Sequence, residues 1–152
     1  MASWAEGRMR RMEARVPTLG GRQGSPAHLA AAAWACEMTS LEAAADRMSD
    51  REIAWADFDL MLEDMAGALA GAAAHFRFAA DQAEVEAIAR GPLMKRYSKA
   101  IEYEYSPKLR RDLIAQEETL HGREIEDALA MLDAAAEKSP LLTRALTRAK
   151  EN

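Results

Sequence analysis

Apolar side chains recur every three or four positions over most of this chain. The longest unbroken run passes through Trp55, Phe58, Leu62, Met65, Leu69, Ala72, Phe76, Ala79 and Ala83. Alternating steps of three and four form the a/d seam of one helix, and such a seam needs a partner helix to cover it. The pattern predicts a helix over 50–90, opened by a Ser49–Glu52 capping box and stopped at Gly91-Pro92. Trp55, Phe58, Leu62, Met65, Leu69 and Phe76 are its candidate interaction seam. From Ala66 to Ala74 every residue except Leu69 is alanine or glycine, which predicts close helix packing on more than one face.

A second seam runs through Ala27, Ala31, Trp34, Met38, Leu41, Ala45 and Met48, predicting a helix over 26–48. Almost no chain separates it from the 50–90 helix, so the two are expected as antiparallel neighbours. A shorter helix is expected over 92–105, another over 107–138, and a terminal one carrying Leu141, Leu142, Ala145 and Leu146. The dipeptides Ser25-Pro26, Ser106-Pro107 and Ser139-Pro140 mark three starts: a hydroxyl at the cap, then proline where its missing N–H costs nothing. The expected fold is an all-α antiparallel bundle of four main helices plus a short C-terminal helix. Pro17 to Pro26 holds three glycines and two prolines, so residues 1–25 are expected to be a flexible basic arm and linker, with 26–152 as one bundle domain.

Composition narrows the function classes. At 152 residues the chain can bury a real core, and 30% charged residues against 49% apolar ones argue for a globular protein. The net charge of -5 argues against nucleic-acid binding by the whole surface. The ends are basic, however: Arg8, Arg10, Arg11, Arg15 and Arg22 at one, and Arg144, Arg148 and Lys150 at the other. Cys36 is the lone cysteine, so neither an intrachain disulfide nor a cysteine metal site is expected. No apolar run reaches the roughly 18 residues a spanning helix needs, and no signal-peptide pattern follows the early arginines. A cytoplasmic location is expected, with no membrane partner.

Chemistry concentrates at one place. His121 falls on the seam of the 107–138 helix, with Glu117, Glu118 and Glu124 three or four residues away on the same face. Glu118-Thr119-Leu120-His121 resembles the Glu-x-x-His spacing of ferritin-like di-iron bundles over those four residues. The second such motif that a dinuclear site requires is absent from this sequence. A structural polar layer is therefore the favoured reading, with iron, manganese or zinc held by Glu117, Glu118, His121 and Glu124 as the alternative. No nucleotide-binding loop and no nucleophile–base arrangement is present, so enzymatic activity is not expected. The function expected from long seams without catalytic constellations is protein–protein interaction: a small acidic adaptor, chaperone, inhibitor or immunity-type protein that self-associates and takes no cofactor. A metal-binding bundle is the first alternative, and a nucleic-acid accessory protein using the basic arm is the second.

Overall fold

The computed structural model describes residues 11–19, 24–96, 102 and 104–151. Among them the regular structure is helical, so the protein is all-α; one isolated bridge joins Arg96 and Glu104. Residues 11–15 are helical and run into a 3-10 turn, Pro17–Leu19. There follow α1 (Pro26–Arg47), α2 (Phe58–Glu63), α3 (Met65–His75), α4 (Gln82–Ala89), a 3-10 turn (Pro92–Lys95), α5 (Pro107–Ala136) and α6 (Pro140–Glu151). The chain separates into two compact units rather than one domain. The first draws on Met1–Ile53 and Glu118–Asn152, the second on Ala54–Glu117.

All three Ser-Pro dipeptides open helices. Ser106 Oγ accepts the Leu109 amide at 3.1 Å, and Ser139 Oγ accepts the Leu142 amide at 3.3 Å. Ser25 leaves its helix end uncapped by its side chain and pairs its Oγ with His28 Nδ1 at 3.0 Å.

The first unit is built on a close-packed core. Met12, Val16 and Leu19 are buried against Ala35 and Cys36 of α1, Met131, Leu132 and Ala135 of α5, and Leu142 of α6. Residues 11–19 are thus part of the packed interior, contrary to the expectation of a flexible arm through residue 25; residues 1–10 and 20–23 lie outside the described ones. Arg15 fixes this segment. Its guanidinium donates to Thr39 Oγ1 (3.0 Å), Ser40 Oγ (2.8 Å) and the Cys36 carbonyl (3.1 Å). Ser139 Oγ in turn donates to the Arg15 carbonyl at 3.2 Å. In α5 the seam through His121 is buried only at its C-terminal part, at Ala128, Met131, Leu132 and Ala135, whereas Ile114, Glu117, Glu118, His121 and Glu124 are exposed. In α1 the buried positions do not follow the expected seam. Leu41 and Met48 are exposed, while Ala35, Cys36, Thr39 and Glu42 are buried. The buried stripe is rotated because two of its members are polar groups with cationic partners.

The 50–90 helix is corrected to three short helices separated by non-helical chain. Residues 52–57 have no regular structure, so the Ser49–Glu52 capping box does not start a helix. Aspartates do. Asp57 accepts the Asp59 and Leu60 amides at 2.9 Å each, Asp64 accepts Gly67 at 2.8 Å, and Asp81 accepts Ala83 at 2.8 Å. Each carboxylate replaces a bond that a continuous helix would make along its backbone. The stop after α3 is a Schellman turn: Phe78 N donates to the Ala73 carbonyl, Arg77 N to that of Ala74, and Arg77 sits at φ 57°. The 92–105 helix is likewise corrected: it is the Pro92–Lys95 turn followed by the bridge at Arg96, with 97–101 and 103 outside the described residues.

Candidate interaction surface

The two units handle their apolar side chains differently, and that difference defines the site. Among the described residues of the second unit, Val85 is the one buried hydrophobic. Phe76 and Phe78 are 65% and 71% exposed; Phe58, Leu60 and Leu113 are each about half exposed. Of the expected seam, Phe58 and Phe76 face solvent, while Trp55, Leu62, Met65 and Leu69 are half-buried. The seam is therefore not covered as one continuous stripe by other helices of this chain. The first unit exposes large apolar groups too, among them Leu29, Leu41, Leu120 and Leu129, but in the second they stand beside almost no buried core. Exposed apolar area of that kind is a mark of contact surfaces.

The most regular part of this surface lies on α3. Asp64, Gly67, Ala68, Gly71, Ala72 and His75 occupy one face at helical spacing and floor a trough of about 620 Å³. Trp55, Leu60 and Met61 contribute to its lining, and Phe76 lies at its end. Phe76 makes an edge-on contact with the His75 ring at 5.1 Å and a tilted one with Phe78 at 6.1 Å. The two glycines differ. A Cβ on Gly67 would meet the Asp64 carboxylate that caps the helix. A Cβ on Gly71 would meet nothing within 4 Å. Glycine inside a helix costs about 1 kcal/mol relative to alanine, and no packing among the described residues accounts for it at position 71.

Electrostatics at the mouth of this unit come from α5. Arg110 forks onto Asp59, with Nη2–Oδ2 at 3.2 Å, and its guanidinium lies 5.3 Å from the centroid of the Phe58 ring. The hydrogen bond from Arg110 holds the Asp59 carboxyl below its ordinary range, partly opposed by desolvation, and the same bond raises Arg110.

The four tentative metal ligands do not assemble. Glu117, Glu118, His121 and Glu124 are all exposed, and among the described residues no group of three or more histidine, cysteine or acidic side chains could hold a metal ion. The expectation that His121 faces inward is corrected: it sits at a kink in α5, with φ -127° and ψ 15°, immediately before Gly122. A helix that bends there cannot keep residues 117–124 on one inward stripe.

The basic ends are also more occupied than their sequence suggests. Glu42, 2% exposed, accepts from Arg144 Nε at 3.2 Å and Arg148 Nε at 3.0 Å. Arg144 reaches Asp46 as well, at 2.7 Å, and that hydrogen bond is the main cause of its raised pKa. These C-terminal cations hold α6 onto α1 rather than standing free for an anionic partner. The first unit also carries an apolar groove of about 510 Å³ between α1, α5 and α6, lined by Trp34, Leu129, Leu132 and Leu146 among others, with Lys150 as its one charged side chain.

Comparison with known protein families, with curated proteins and with solved structures finds no match for this chain. No described helix is long and apolar enough to cross a membrane.

Proposed function

We propose that this protein is a small acidic protein–protein interaction module that self-associates, with the first unit as its folded scaffold and the second as its contact surface. The observation that carries the reading is the second unit's unburied apolar side chains, Phe58, Leu60, Phe76, Phe78 and Leu113. At about 25 cal/mol per Å² of apolar surface removed from water, covering such groups supplies a driving force for association. Their cover would come from another protein surface, a second copy included. An adaptor, chaperone, inhibitor or immunity-type role fits this arrangement.

Sedimentation equilibrium of the full chain from about 1 to 100 µM tests self-association at affinities typical of reversible contacts. The expected result is a mass that rises with concentration above the 16.7 kDa of one chain. A constant mass of one chain would remove self-association from the proposal.

A further inference from the structure

We infer that the apolar groove of the first unit binds a free long-chain carboxylic acid, with its alkyl chain along Trp34, Leu132 and Leu146 and its carboxylate at Lys150. This site lies outside the second unit's contact surface and does not depend on the interaction reading above.

The groove is built by three helices of one packed unit, so no partner is needed to form it. On α1 its lining passes through Ala27, Ala31 and Trp34, and on α5 through Ile125, Leu129 and Leu132. Each set covers two helical turns, a length of about 10 Å. The volume, about 510 Å³, falls in the range of about 300–1,000 Å³ usual for small-molecule sites. A docked helix, about 10–12 Å across with its side chains, occupies more than that over two turns, whereas a single alkyl chain fits within it.

The groove also has a polarity. At its inner side Leu132 is buried, and Trp34 and Leu146 pack against the unit's core. At its mouth Leu129 is 53% exposed, and Lys150 is the one charged side chain among the described lining residues. A ligand seated here finds apolar walls for its body and a partner for a single negative charge at one end. Hydroxyls or amides along the body would be left without partners, at a cost to binding. Lys150 pairs with Asp133 at 3.5 Å, but the two side chains are 71% and 63% exposed. Such a pair contributes little, so Lys150 can turn to a carboxylate at the mouth. α1 also begins beside the groove, at Ala27, in a first turn that Ser25 leaves without a side-chain cap. The positive end of that helix adds to the preference for an anionic ligand.

Isothermal titration calorimetry of the full-length chain with dodecanoate, decanoate and dodecanol tests this. Dodecanoate should bind at one equivalent with a micromolar dissociation constant, on the order of 10 µM. Decanoate should bind about tenfold more weakly, because each buried methylene is worth about fourfold. Lys150→Gln should weaken dodecanoate about threefold to fivefold and leave dodecanol unchanged. Leu129→Glu, a change at an exposed position, should abolish dodecanoate binding by placing a like charge in the mouth, with circular dichroism unchanged. Absence of saturable dodecanoate binding would overturn the proposal, and so would binding that neither variant affects, which would put the acid on another surface. Equal affinities for dodecanoate and dodecanol would overturn the role of Lys150. A groove that takes no dodecanoate, but whose Leu129→Glu variant lowers the mass in sedimentation, would be an interface between copies instead.

Discussion

The first unit buries Met12, Val16 and Leu142 to 1% exposure or less, whereas the second, among its described residues, buries only Val85. Both are helical, both are rich in alanine, and both have charged surfaces. What separates them is the length and partnering of their helices. In the first, α1, α5 and α6 each present three turns or more to a shared interior, and buried polar groups such as Thr39 and Glu42 are matched by Arg15, Arg144 and Arg148. In the second, α2, α3 and α4 are short, and an isolated helix of that length is marginal without packing. Apolar content alone does not make a core; enough continuous helix must lie against it.

The largest expected effect tests the packed side of this contrast. Leu142→Ala should destabilise the protein by about 2–5 kcal/mol in urea denaturation, because a fully buried side chain leaves a cavity. Leu113→Ala, at a side chain 52% exposed, should stay within about 0.5 kcal/mol. Comparable losses at the two positions would erase the distinction between the units.

Next is Arg15→Met, which removes the guanidinium bonds to Thr39, Ser40 and the Cys36 carbonyl. Hydrogen bonds to a charged group contribute about 1.5–3 kcal/mol in favourable cases, so a loss of about 2 kcal/mol is expected from thermal melts, with faster amide exchange in residues 11–19. An unchanged melt would detach that segment from the core.

The smallest effect sharpens the other side. Asp59 is depressed by Arg110, so its stabilising contribution is present above its unfolded pKa and lost as pH falls through the lower folded one. The pair is exposed and screened by solvent, so Asp59→Asn should cost about 0.5 kcal/mol or less at neutral pH. The difference between variant and wild type should vanish in strong acid. A loss of several kcal/mol would mean that the second unit depends on this pair far more than its exposure implies.

Legibility in the sequence followed the range of the interactions involved. Ser-Pro starts at 26, 107 and 140 could be read directly, because cap and proline act within one turn. The α5 stripe could be read only over 128, 131, 132 and 135, where its members are apolar; its expected polar members Glu117, Glu118, His121 and Glu124 are exposed. The α1 stripe was read one face off: Thr39 and Glu42 are buried by arginines 24 and 102 or more residues away, a relation no local pattern encodes. Over 50–90 the heptad spacing says nothing of Asp57, Asp64 and Asp81, and each of them is a cap that starts a new helix. The stop at Arg77 lacks the usual glycine and left no signal. At His121 the following glycine was the available hint of a bend.

The second unit is inserted within the first: residues 54–117 are made after α1 and before the strips of α5 and α6 that complete its core. On the ribosome, Met12, Val16 and Cys36 therefore wait for Leu132 and Leu142 while the intervening chain emerges. Synthesis at about 5–20 residues per second leaves that half-built interior uncovered for several seconds. Closing so long a loop also raises the contact order, so refolding should be slower than for a helical protein whose neighbours in space are neighbours along the chain.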